Sequence, residues 1–239
     1  MRRCQTSGTG VLANTMAEYR VGPSTAHDRG PHICHGGLES ITRGRRRLLK
    51  LDRLAQNSIA MKSALIIIDV QQALCSGEWA MFDIDRVVDR INELATKARS
   101  VGATVFYVQH EESQGPLQFG TQGWQLYERL ATEPGDIRIR KSASDAFHGT
   151  ELHAQLQARG VGELVVCGLQ SEFCVDSTVR RALSLGYPVV LVSNAHSTMD
   201  NGVVSAAQIS AHHTSTLANI GGYAHTVKAT AAAEVSFGT

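Results

Sequence analysis

Ala64 to Asp69, A-L-I-I-I-D, is the stretch that most constrains this chain: an unbroken apolar run rich in isoleucine and closed by a carboxylate. It lacks the alternation of a half-solvated strand and is far too short to span a bilayer, so it reads as a strand buried on both faces of a parallel sheet. Later segments repeat the theme. Ile84 to Val101 carries Val87, Val88, Ile91, Leu94, Ala95 and Ala98 at helical spacing and is stopped by Gly102. Thr104 to Val108 reads as a second strand, Trp124 to Leu130 as a short helix, Ile137 to Arg140 as a brief strand, and Thr150 to Arg159 as a helix. Leu164 to Cys167 is a further buried strand, followed by a helix from Phe173 to Leu185, a strand over Val189 to Val192, a helix over Val203 to Leu217 and a last strand over Ala224 to Val227. Strands alternating with amphipathic helices predict an α/β fold, a three-layer α/β/α sandwich around a mostly parallel sheet of about six strands.

That pattern begins only near Ser63, so the 239 residues divide unevenly. Residues 62–239 are expected to form one domain, and residues 1–61 a basic extension or an over-long start, with Met61 standing directly before the first strand. The extension holds ten Lys or Arg against four Asp or Glu, including Arg45, Arg46 and Arg47, whereas the remainder holds thirteen against eighteen. Cys34 with His32 and His35 lacks the second ligand pair that a metal site requires. Five cysteines at irregular spacing, with no C-x-x-C pair, argue against a disulfide framework and for a reducing, cytoplasmic setting.

Ligands of open parallel sheets bind outside the carboxyl ends of the strands, and three reactive side chains fall there. Asp69 closes the first strand, Lys141 follows Ile137 to Arg140, and Cys174 comes after the turn Gly168-Leu169-Gln170-Ser171-Glu172 at the start of a helix. Amide hydrogens and the helix dipole at that point would favour a thiolate. Cys75 and Cys167 read instead as small buried apolar residues.

The stretches I-I-I-D-V-Q-Q at Ile66 to Gln72, I-R-K-S-A-S-D-A-F at Ile139 to Phe147 and V-V-C-G-L-Q-S-E-F-C-V-D-S-T-V-R-R-A at Val165 to Ala182, with G-Y-P-V-V-L-V-S-N-A-H at Gly186 to His196, occur in one order. That set resembles the isochorismatase-like cysteine hydrolases, a superfamily that includes nicotinamidases and N-carbamoylsarcosine amidases, and the resemblance covers Ser63 to Val227. It implies Asp69, Lys141 and Cys174 as the catalytic triad, a cis peptide between Leu169 and Gln170, and an oxyanion hole formed by the amides of Gln170 and Cys174. Phe147 would wall the substrate pocket. Gln71, Trp124 and His110 are further candidates for substrate binding, with Gln114 and Tyr127 in the same loops, while His212 and His213 are expected to pack or hydrogen-bond at a helix or subunit surface.

The implied activity is hydrolysis of a carbon–nitrogen bond, amide, lactam or ureido, of a small molecule through a thioester. Zinc-binding relatives carry Asp-x-His after the second strand, where this chain has Gln109-His110-Glu111-Glu112-Ser113, so no metal and no cofactor are expected. The alternatives are vinyl ether hydrolysis, whose practitioners in the superfamily typically lack the cysteine, and a non-catalytic binding protein with a residual triad. A small-molecule substrate, no nucleic acid or membrane partner and a homo-oligomer complete the expectation. Ala73 to Met81 departs from the usual Asn-Asp-Phe continuation, which leaves that pocket wall open.

Overall fold

The computed structural model describes residues 61–238. Six strands form one sheet: β1 Ser63–Ile68, β2 Thr104–His110, β3 Ile137–Lys141, β4 Glu163–Leu169, β5 Val189–Ser197 and β6 Val227–Thr230. Their spatial order is β3-β2-β1-β4-β5-β6, and every neighbouring pair is parallel. Four helices longer than one turn connect them: α1 Ile84–Ser100, α2 Leu152–Ala158, α3 Asp176–Ser184 and α4 Ala206–Ala218.

The period-two geometry of β1 divides the core. Leu65 and Ile67 face one side, where they join the apolar stripe of α1 (Val87, Val88, Ile91 and Leu94). Ala64, Ile66 and Ile68 face the other, with Leu152 and Leu156 of α2, Val179 and Ala182 of α3 and Leu217 of α4. All six β1 residues are buried, so the unbroken apolar run is explained by helices on both faces, the expected three-layer arrangement. Among the described residues, no helix is long and apolar enough to cross a membrane. The basic run Arg45 to Arg47 and the His32, Cys34 and His35 group lie outside the described residues.

Several element boundaries differ from expectation. Trp124 to Leu130 is not helical: the amides of Gln72 and Ala73 donate to the carbonyls of Gln125 and Gly123, and the Tyr127 amide donates to the Val70 carbonyl. Those groups pair with the segment after β1, which leaves no i→i−4 ladder to form. The last strand runs Val227–Thr230 instead of Ala224 to Val227, because its register with β5 begins at Val189 opposite Val227. A π turn, Ser171–Val175, precedes α3, so the helix proper starts at Asp176 and not at Phe173. The helix expected from Val203 starts at Ala206, where Ser205 and Gln208 form a reciprocal capping box. β5 continues past Val192 through Ser193 and Asn194 to Ser197, polar residues that hide a strand from an apolar pattern.

β1 and β4 are adjacent although β2 and β3 intervene in sequence, which makes their carboxyl ends the switch point of the sheet. Gly168 lets them approach there. Its φ is +116°, and a Cβ on it would lie 2.1 Å from the Ile68 carbonyl oxygen and 2.6 Å from the Ile68 nitrogen, both backbone atoms that cannot swing aside. Gly168→Ala is therefore expected to destabilise the domain by about 4 kcal/mol or more, read as a fall in the denaturant midpoint. A midpoint within error of the parent would show that the strands separate at little cost.

Candidate active site

Three strand ends deliver the three reactive side chains to one place. Asp69 follows β1 in a left-handed conformation (φ 52°), which an Asp tolerates better than most residues, and its amide donates to the Val108 carbonyl at 2.8 Å. Lys141 is the last residue of β3, and Cys174 sits in the π turn that follows β4. The Leu169–Gln170 peptide is cis, as the resemblance implies.

Lys141 organises the cluster. Its ammonium donates to Asp69 Oδ2 at 2.7 Å and to Cys174 Sγ at 3.2 Å, and it lies 3.3 Å from His110 Nδ1. An ammonium has three donors and no acceptor, so His110 must present the lone pair of Nδ1 and carry its proton on Nε2. That tautomer agrees with the depressed basicity of His110, which arises from burial first and the Lys141 charge second. Both side chains of the Asp69–Lys141 ion pair are buried, so the desolvation of each charge is offset mainly by the other. Asp69 Oδ1, also buried, has no hydrogen-bond partner among the described residues.

The thiol behaves differently from the sequence expectation. Burial, and after it the adjacent Asp69 carboxylate, push the Cys174 thiol up to about 12, with Lys141 opposing. Cys174 lies half-buried inside the π turn before α3, and desolvation of a thiolate there opposes the local dipole benefit. At neutral pH the resting sulfur is thus a thiol. Below its raised value the thiolate fraction grows about tenfold per pH unit, so alkylation of Cys174 by iodoacetamide should keep accelerating beyond the ordinary thiol value of 9.0. Site-resolved mass spectrometry would check this, and a rate plateau below that value would contradict it. Cys75 and Cys167 are buried, as expected, and burial raises both thiols.

A cavity of about 270 Å³ opens on Asp69 and Cys174 and is lined also by His110, Ser144, Gln170, Phe173, Leu74, Glu112 and Leu117. His110 is the one residue among the candidate substrate contacts that reaches it. Gln71 does not: its amide nitrogen donates to the carbonyls of His110 and Trp124, and its oxygen accepts from the His110 amide. It is a buried clamp between the end of β1, the end of β2 and the loop beyond. Trp124 is buried beside Phe119, with its carbonyl held by Gln71 and Gln109. Phe147 stacks on Tyr187 at 6.3 Å in the core beneath α2 and α3, away from the cavity. Tyr127 is buried in the α1 core, and Gln114 is exposed outside the cavity lining. His213 hydrogen-bonds Asp176, which also holds Arg180, and His212 lies at the exposed surface of α4.

Sequence reasoning missed a buried network behind the turn. Ser171 Oγ bonds His196 Nδ1 at 2.8 Å and Ser210 Oγ at 2.9 Å, while His196 Nε2 bonds Thr214 Oγ1 at 2.9 Å. Burial lowers His196 to about 4, which keeps the ring neutral and the network uncharged. These contacts tie the π turn carrying Cys174 to β5 and α4. The signal was present in the N-A-H that closes the β5 stretch.

Comparison with known proteins gives a consistent result. The isochorismatase domain profile matches residues 63–226. A streptothricin hydrolase of Streptomyces noursei is 41% identical over 182 residues, which span 75% of this chain and 68% of that protein. A second protein of that name and organism is 43% identical over 138 residues, 57% of this chain and only 50% of its own length. Among solved structures, an isochorismatase of Pseudomonas putida superposes with a TM-score of 0.67 at 31% identity, covering 77% of this chain and 96% of its own. N-carbamoylsarcosine amidase of Thermoplasma acidophilum superposes with a TM-score of 0.62 at 25% identity, covering 73% and 99%.

Proposed function

The chain belongs to the isochorismatase family, and on that premise we propose that it is a cysteine-dependent hydrolase that cleaves a carbon–nitrogen bond of a small amide, lactam or ureido compound through a thioester. The observation that carries this is the contact of one buried ammonium, Lys141 Nζ, with both the Asp69 carboxylate and the Cys174 sulfur at the mouth of a cavity. The amidase named among its structural neighbours supports the choice of bond.

One water molecule is the co-reactant. Asp69 takes the Cys174 proton through its unpartnered Oδ1 as the sulfur attacks the carbonyl carbon. The Lys141 ammonium beside the sulfur stabilises the thiolate as it forms, which offsets the burial that holds the resting thiol protonated. Amides of Gln170 and Cys174 receive the carbonyl oxygen as its charge develops, a contribution of about 3 kcal/mol per donor in comparable sites. Collapse of the tetrahedral adduct expels the nitrogen, which leaves with the proton returned by Asp69. Water then adds to the thioester, Asp69 accepting its proton, and the acid departs as the thiol is restored.

Release of ammonia or an amine from a panel of small amides, by the parent and not by Cys174→Ala, tests this function. Vinyl ether cleavage with no activity on any carbon–nitrogen bond would overturn it.

A further inference from the structure

The triad cavity continues sideways. A second cavity of about 530 Å³ shares Leu74, Glu112, Leu117 and Gln170 with it, so the two adjoin. Its wall is largely Ala73 to Met81, the stretch where this chain departs from the resemblance, folded as a one-turn helix, Gln72–Cys75, and a 3-10 turn, Gly77–Trp79. The lining is mostly apolar, with Ser76 and Gln170 as its uncharged polar side chains, and its charges have one sign. Glu78 and Glu112 line it, while no Lys or Arg lines either cavity. The remaining acid, Asp69, is neutralised by Lys141. Among the described residues, neither Glu78 nor Glu112 takes part in a salt bridge. Trp79, 64% exposed, adds a ring of the kind on which cations rest.

We propose that this second cavity selects positively charged substrates, amides whose apolar chain ends in an ammonium or guanidinium group, with Glu78 and Glu112 as the specificity-determining residues. The inference rests on the amide-hydrolase reading of Cys174 and adds the substrate class to it. The apolar wall buries the chain, and the two carboxylates hold its charged end. An anionic substrate meets uncompensated like charge at the same place. Low-dielectric walls of one sign concentrate counter-charged ligands and repel the opposite kind, an effect that salt screens.

Two probe series test it, because the charged end can lie on the acyl or the amine side. The first is 6-aminohexanamide, heptanamide and 6-carboxyhexanamide, and the second is N-(5-aminopentyl)acetamide and N-hexylacetamide. In at least one series, kcat/KM should favour the cationic over the neutral amide by about tenfold or more at low salt, and that ratio should shrink in high salt. The ratio should fall towards one in the double variant Glu78→Gln, Glu112→Gln, and survive in Glu112→Asp. Equal kcat/KM across both series, or a cationic preference that persists in the double variant, would overturn the proposal. A second readout needs no turnover: alkylation of Cys174 by 2-bromoethylammonium, iodoacetamide and iodoacetate, each rate divided by that of a free thiol. Cationic-over-anionic selectivity that disappears in the double variant supports the charge selection even if no amide is hydrolysed, an outcome that would sink only the hydrolase reading. Amide turnover with no charge selectivity in either readout would sink only the charge selection.

Discussion

Cys174→Ala is expected to lower amide turnover by about 10⁴-fold or more while leaving the fold intact. Among the described residues, Cys174 is the cysteine that lines the cavity beside Asp69. Cys75 and Cys167 are buried within the core, and Ser144, although it lines the cavity, is not among the partners of Lys141. The sulfur accepts a hydrogen bond from Lys141, and the ammonium keeps Asp69 and His110 when it is removed. Stability should accordingly change by no more than about 1 kcal/mol. Parallel measurement of ammonia release and of the denaturant midpoint separates a lost nucleophile from a lost fold. Near-parental turnover in a folded Cys174→Ala would refute the assignment.

Asp69→Asn should produce the second large effect, and an unequal one. Asparagine keeps the shape but cannot accept the thiol proton or return it, so amide cleavage should fall by about 10² to 10⁴-fold. An activated ester of the same acid leaves without a proton and loses only the first half of that help, so its rate should fall less. The substitution would also leave the buried Lys141 ammonium without its counter-ion, a costly arrangement. The comparison is therefore made in single-turnover experiments on the folded fraction, where a common loss of stability cancels from the amide-to-ester ratio. Equal losses for the two substrates would remove the general-acid role of Asp69.

The clustering of Asp69, Lys141 and Cys174 was legible because each closes or follows a strand whose apolar pattern is strong, as Ile66 to Ile68 does before Asp69. The order of motifs then placed Lys141 and Cys174 beside it. What could not be read were properties created by packing. Gln71 and Trp124 are adjacent to the site in sequence or loop order, yet the Gln71 side chain and the Trp124 carbonyl are engaged in joining β1, β2 and the following loop. Phe147 comes soon after Lys141, but the chain turns beneath the sheet before it and buries the ring on Tyr187. The state of the thiol reversed for the same reason: a helix start favours a thiolate locally, whereas burial is a property of the finished fold. Glu112 and the Ala73 to Met81 wall acquire meaning only once two cavities are seen to share them.

The proposed covalent catalysis at one sulfur joins these points, and the mass of the protein during turnover tests it most directly. An activated ester needs no proton to leave, so it should load the sulfur faster than water, which must lose a proton as it adds, clears the thioester, and acid quench should catch the acyl group. Peptide mapping of parent protein quenched during hydrolysis of an activated ester of the acid of an active amide should place one acyl group, in thioester linkage, on Cys174. Turnover with no acyl adduct on any residue, or an adduct confined to a residue other than Cys174, would contradict the account.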